Sequence, residues 1–324
     1  MSEHLLVTGA TGTAGSAIVM KAAREGIRPV RALVRGATDL APFVEAGVDV
    51  VNGDVTDAES LDRAMAGVTH VIHAAGQLSG TYRTATDQQM WDVNHQGALN
   101  VMDAATRAGV ARTVLLDSIG AFDFAFTLTE RSPVSLIRPI DSAYIHAKRA
   151  AFYNVQYRAS LGEPFISVSP GTIFGPGVFP DRILDPTTFT KMMHRALVGE
   201  LDEFVEFVLP WVFVDDLAAV SLRALDRGEF GHRYLAIGDN DNVASIPKVC
   251  NMAAEIAGIE HRVRAIDPTA PGSDIGTMKQ FADRVVASPL VDCTETTKVL
   301  GITPTPLADG VRATVDWFRS EGLI

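Results

Sequence analysis

The sequence predicts an α/β fold: a doubly wound parallel sheet joined to a smaller, discontinuous C-terminal lobe. Three observations carry that expectation. Short β-branched apolar runs alternate with helical patterns up to Pro170, as βαβ units do. The first run leads through a glycine-rich turn into a helix, in Leu5-Leu-Val-Thr-Gly9-Ala-Thr-Gly12-Thr-Ala-Gly15. After Pro170 the texture changes, and prolines from Pro176 to Pro306 cut the chain into short pieces.

Taken in order, the expected strands are Leu5–Thr8, Pro29–Val34, Val48–Val51, Val71–His73, Thr113–Leu116 and Phe165–Val168. They are nearly continuously apolar, as in a sheet covered on both faces. The intervening helices are expected at Ala14–Glu25, Asp57–Ala66, Gln88–Ala108 and Asp141–Leu161. Gly26, Gly67, Gly109 and Gly162 follow them, where a left-handed cap is favoured. A helix from about Asp215 and a strand at Arg233–Ile237 return to the sheet, and Leu307–Arg319 reads as a terminal amphipathic helix. Residues 1–175, with 213–239 returning, therefore form the sheet domain. Residues 176–212 and 240–324 form the substrate lobe.

The 324 residues are 47% hydrophobic and 21% charged, enough core for one large or two modest units. A net charge of -11 argues against nucleic acid or an anionic membrane as partner. Cys250 and Cys293 cannot form a disulfide framework, and there is no CxxC pair to hold zinc, so no metal is expected. No signal peptide pattern opens the chain, and no run of about 18 apolar residues would span a bilayer. A cytoplasmic protein acting on a small molecule is expected.

The glycine turn marks a Rossmann-type dinucleotide site. Gly9 permits the tight turn, Gly12 lets backbone approach a pyrophosphate, and Gly15 lets helix and strand pack closely. The N–H groups at the helix start face the anion. Thr11, Thr13 and Ala14 belong to the same candidate contact surface. At the end of the second strand stands Arg35, with no carboxylate before Asp39. An arginine there suits a 2′-phosphate, so NADP(H) is expected over NAD(H). Asp54 ends the third strand beside Val55, where it can accept from an adenine amino group. Ala74, Ala75 and Gly76 end the fourth, leaving room for the cofactor. His73 reads as a core histidine.

Tyr144 and Lys148 are four residues apart in a helical pattern and so share a face. A neighbouring ammonium favours the phenolate and is expected to lower the Tyr144 pKa, suiting it to proton transfer at a carbonyl or alcohol. Ser118 ends the fifth strand, where a hydroxyl can hold a substrate oxygen.

These elements resemble the extended short-chain dehydrogenase/reductase superfamily, which includes epimerase/dehydratase-like proteins. They are the Gly9–Gly15 turn, Gly53-Asp54-Val55, His73-Ala-Ala75, Val93-Asn94 with Gly97 and Asn100, Ser118, Tyr144-x-x-x-Lys148, Pro170-Gly-Thr-Ile-Phe-Gly175-Pro-Gly177 and Val214-Asp-Asp-Leu-Ala218. Within it the chain looks most like dihydroflavonol-reductase-like and 3β-hydroxysteroid-dehydrogenase-like carbonyl reductases. The resemblance implies Tyr144 as general acid/base, Lys148 tuning it and bonding the nicotinamide ribose, and Ser118 holding the substrate oxygen. It implies Pro170, Thr172 and Ile173 beside the nicotinamide, and Asn94 as a cofactor or backbone contact. A homodimer is a family-level expectation. Asp117 departs from the pattern, since relatives usually carry Ser or Thr there. So does Ser169, where sugar-nucleotide enzymes typically have Arg.

Phe122, Phe124, Phe126, Phe174, Phe179, Phe189, Met192, Met193 and Trp211 are expected either to line an apolar or aromatic substrate pocket or to form lobe core. The bases of segment 176–212 are only Arg182, Lys191, His194 and Arg195, a poor clamp for a nucleotide-sugar diphosphate. The first expectation is an NADP-dependent ketone or aldehyde reductase. Alternatives are an oxidative hydroxysteroid or other alcohol dehydrogenase, a nucleotide-sugar epimerase or dehydratase, and a non-enzymatic NADP-binding protein.

Overall fold

The computed structural model describes residues 3–36, 39–78, 85–123, 127–134, 142–268 and 290–324. Six strands follow one another: β1 (Leu5–Thr8), β2 (Val30–Val34), β3 (Asp49–Asn52), β4 (His70–His73), β5 (Arg112–Leu116) and β6 (Phe165–Pro170). β10 (Arg233–Ala236) returns to the edge beside β6. The seven run parallel in the order β10-β6-β5-β4-β1-β2-β3. The order reverses at β1, whose neighbours are β2 and β4. A crevice therefore opens beyond the carboxyl ends of β1 and β4.

Helices cover both faces. α1 (Thr13–Glu25) and α9 (Val214–Arg227) pack on one through Ile18, Ala22, Leu217 and Leu225. α3 (Ala58–Ala64), α5 (Gly97–Ala108) and α6 (Ala143–Ser160) cover the other through Leu61, Val101, Met102 and Val155. The short α2 (Ala41–Glu45) adds Phe43 to the first core. Burial on both sides explains why the strands read as continuous apolar runs.

The single helix expected over Gln88–Ala108 is interrupted. α4 (Asp87–Trp91) passes through a π-helical turn, Asp92–Gln96, before α5 begins. The wider turn coincides with buried Asn94, whose side chain bonds backbone outside the helix.

The remaining elements build the second lobe. β7 (Thr172–Phe174), β9 (Val208–Phe213) and β11 (Val243–Ser245) form a sheet, and β8 (Glu203–Val205) pairs with β12 (Arg264–Ile266). After α7 (Pro180–Ile183) come α8 (Phe189–Leu197) and α10 (Ile246–Ala257), then α11 (Thr294–Leu300) and α12 (Leu307–Ser320). α8, α10 and α12 enclose a separate core around Phe174, Trp211 and Phe318. Among the described residues no helix is long and apolar enough to cross a membrane.

Candidate active site

The turn after β1 is shaped by contact with the end of β4. Gly9 has φ +66°, and a Cβ on it would lie 2.5 Å from the Ala75 Cα. A Cβ on Gly15 would collide with the Gly9 carbonyl oxygen. Only glycines let the β1 turn lie against Ala74–Ala75 and let α1 start directly on that turn. Gly12 caps α1 without a side-chain bond, and the first intrahelical bond runs from Ser16 N–H to its carbonyl at 2.9 Å. The N–H groups of Thr13, Ala14 and Gly15 precede that bond and form the anion-seeking start of the helix. Thr11, Gly12, Thr13 and Ala14 all retain exposure. Such a cradle fits a dinucleotide pyrophosphate.

Arg35 and Asp54 stand together beyond β2 and β3. Arg35 is 65% exposed and donates to Asp54 at 3.3 Å. Burial pushes the Asp54 carboxyl up, but the Thr56 N–H and hydroxyl, with Arg35, outweigh it and bring it down overall. Val55 is buried, and its carbonyl accepts from Asn100. His73 is buried and neutral, as expected of a core histidine. Its Nδ1 meets the Thr8 hydroxyl at 2.8 Å, and burial with the nearby Lys148 charge pushes it down to about 3.

The end of β4 approaches the catalytic candidates. A Cβ on Gly76 would lie 3.2 Å from Asn94 Oδ1 and 3.4 Å from Lys148 Nζ. Asn94 fixes this corner: it accepts from Gln77 N–H at 3.0 Å and donates to the Gln77 and Met90 carbonyls at 2.8 and 2.9 Å. Its side chain is thus engaged by backbone. β6 ends at buried Pro170, and the chain turns through Gly171 to buried Thr172 and half-buried Ile173, entering the second lobe.

α6 begins after Ser142, so Tyr144 lies in its first turn and Lys148 one turn on. Lys148 is 6% exposed and donates to the Leu116 carbonyl at 2.9 Å, which anchors the ammonium under the end of β5. Burial pulls its pKa down to about 8, while the Asp117 charge works upward. Ser118 is half-buried and accepts from Gly120 N–H at 3.2 Å.

The expected acidification of Tyr144 is corrected. Burial pushes its hydroxyl up to about 12; Asp117 adds to the rise, and only the Ser118 hydroxyl opposes it. Desolvation of a phenolate outweighs the hydrogen bond that Ser118 offers it.

Sequence reasoning noted Asp117 but missed its surroundings. The carboxyl is 7% exposed, and burial pushes it up to about 6. Ser169, Arg233, Lys148 and the Ser118 N–H favour its charge, yet neither oxygen closes a hydrogen bond among the described residues. Arg233, at the start of β10, lies 3.8 Å over the Phe122 ring and donates to the Thr129 and Ser132 carbonyls. An arginine opening an apolar strand was the available signal.

Of the two readings of the aromatic residues, core is the one their burial supports. Phe122, Phe174, Met193 and Trp211 are at most 1% exposed, Phe179 is 6% exposed against Phe43, and Phe189 and Met192 pack on the second core. Phe174, Phe189, Met192, Met193 and Trp211 close the second core around its helices, whereas Phe179 joins the core under α1 and Phe122 a smaller cluster with Ile119 and Phe152. Phe124 and Phe126 lie outside the described residues.

The sequence model of the NAD dependent epimerase/dehydratase family matches residues 5–238. The chain is 29% identical over 338 residues to sterol demethylase protein B of Methylococcus capsulatus, covering 98% of this chain and 99% of that one. It is 28% identical over 257 residues to tetraketide alpha-pyrone reductase 2 of Arabidopsis thaliana, covering 72% of this chain and 77% of the relative. The crystal structure of gox2253 superposes with TM-score 0.83 at 26% identity over 99% of both chains. With its family match and its parallel sheet wound around a glycine turn, the chain belongs to the NAD dependent epimerase/dehydratase family of the extended short-chain dehydrogenases/reductases, and is an NAD(P)-dependent enzyme of that type.

Proposed function

We propose that the protein reduces a ketone or aldehyde carbonyl on an apolar or aromatic small molecule, using NADPH. The observation that carries this is the convergence of Ser118, Tyr144 and Lys148 at the carboxyl end of β5, beside Gly76. The turn at Gly9–Gly15 would hold the pyrophosphate, Arg35 the 2′-phosphate, and Lys148 the ribose beside the nicotinamide. Pro170, Thr172 and Ile173 would bound the ring. Bound there, the cofactor supplies a hydride to the carbonyl carbon.

The chain's own residues handle the proton. The Ser118 hydroxyl donates to the carbonyl oxygen and fixes its direction. As negative charge grows on that oxygen, the Tyr144 O–H breaks and its proton passes to it, giving an alcohol and a phenolate. An alkoxide is a far stronger base than a phenolate, so even a weakly acidic phenol donates downhill. The Lys148 ammonium then stabilises the phenolate until water returns a proton.

A nucleotide-sugar epimerase or dehydratase would use the same pair, and the family description admits it. The second lobe favours the reductase. Lys191 meets His194 at 3.3 Å and Arg195 donates to the Glu200 carbonyl, so three of its four bases are engaged locally.

The test is net NADPH oxidation across a panel of hydrophobic ketones and aldehydes. We expect substrate-dependent consumption, and silence across the panel would contradict the proposal. In the same assay Arg35→Asp should raise the NADPH Kd tenfold or more, about 1.4 kcal/mol, and the NADH Kd much less. An equal loss for both cofactors would remove the 2′-phosphate assignment.

A further inference from the structure

One polar cluster lies outside the reacting groups just described. It occupies the closed side of the sheet, between β4, β5, β6 and α6. There His73, Asn94, Asp117, Lys148 and Ser167 line a cavity with room for about one water. Lys148 thus faces two ways: its ammonium is beside Gly76 at the crevice, and its stem borders this cavity.

Among the described residues Asp117 is the one carboxylate on that cavity. The charged and titratable groups around it come from each neighbouring element: His73 from β4, Lys148 and Tyr144 from α6, and Arg233 from β10. His73 is uncharged and adds no countercharge. Arg233 is held by the Thr129 and Ser132 carbonyls, with buried Glu130 near it. Glu130 itself accepts from the Thr296 N–H and hydroxyl. Ser167 and Ser169 of β6 add hydroxyls with no partner among the described residues. Asp117 is therefore a buried carboxylate that closes no hydrogen bond among the described residues, one residue from Ser118 and on the same cavity as Lys148. Its field acts on both, because little water intervenes to screen it.

We propose that Asp117 is a positioning residue for proton transfer: from the closed side of β5, on the cavity it shares with Lys148, it holds Lys148 as the ammonium and keeps Tyr144 as the neutral phenol. A nearby negative charge makes a phenol harder to ionise and an ammonium harder to deprotonate. Both effects push the same way. They keep Tyr144 in the protonated form that a reduction starts from. The need for that form rests on the reductase reading above; the tuning of Tyr144 does not.

The experiment separates the two. The chain has five tyrosines, so the ionisation of one phenol is read as a near-ultraviolet difference between each protein and the same protein carrying Tyr144→Phe. Asp117→Asn, and Asp117→Ser should the first variant fold poorly, are expected to start ionising Tyr144 about one pH unit lower, a tenfold rise in phenolate at a given pH. The alkaline limb of carbonyl reduction should fall by the same amount. Coincident titration curves for wild type and both variants would overturn the proposal, whatever the turnover. A shifted curve in a protein that never oxidises NADPH would support the tuning and sink the reductase reading instead.

Discussion

Tyr144 holds its proton more tightly than a free tyrosine, and this follows from what surrounds it rather than from its neighbours in sequence. The four-residue spacing to Lys148 was legible, because helical periodicity alone puts the two on one face. The pKa direction was not, because it depends on burial and on Asp117. The same burial makes Asp117 costly. Its folded pKa of about 6 lies above the value of 3.8 for a solvated aspartate, so the folded state binds the proton more tightly. The contribution of Asp117 to stability is then most favourable below about pH 4, falls as pH rises toward about 6, and stays reduced above it. The shift amounts to about 3 kcal/mol at about 1.4 per unit. Asp117→Asn cannot take the charge and should escape that loss. Denaturant unfolding should find it more stable than wild type by up to about 3 kcal/mol near neutral pH, with the gain vanishing near pH 4. A variant less stable than wild type at neutral pH would mean that Lys148 and Arg233 depend on the carboxylate more than it suffers from burial.

Among the elements, the strand–turn–helix around the glycines was legible, since an apolar run, spaced glycines and a helical pattern follow in that order. The structure adds a specific reason for two of its glycines, Gly9 against Ala75 and Gly15 against the Gly9 carbonyl. Gly15→Ala should therefore force α1 off the turn. We expect a loss of several degrees in Tm and of at least tenfold in dinucleotide affinity, measured by calorimetry. An unchanged affinity would mean that the turn relaxes without moving the N–H groups of Thr13 and Ala14. The π-helical turn at Asp92–Gln96 escaped the sequence pattern. One extra residue in a turn leaves the apolar spacing of the flanking helices almost intact, and the contact it coincides with, from Asn94 to Gln77, is not written in that spacing.

At the scale of the molecule, the central sheet was legible and the short strands inside the second lobe were not. Strands buried on both faces announce themselves as apolar runs. The three-residue strands β7, β8, β11 and β12 are too short to show a period. Their partners lie far along the chain, as when Arg264–Ile266 pairs with Glu203–Val205. For the same reason the aromatic residues between Phe174 and Trp211 could be read as pocket. Composition shows only that they are apolar, whereas the structure gives them a core to fill around α8, α10 and α12. The lobe also leaves the chemistry at the sheet edge, where residues from β4, β5 and α6 meet. The central claim is that this edge passes a hydride and the Tyr144 proton to a carbonyl group. It is tested most directly with NADPH deuterated at the nicotinamide C4 and a ketone that the enzyme accepts. The account predicts deuterium on the carbinol carbon of the released alcohol, formed at least about a hundredfold more slowly by Tyr144→Phe with NADPH affinity unchanged. Deuterium that never reaches product, or a Tyr144→Phe variant that transfers it at the wild-type rate, would contradict it.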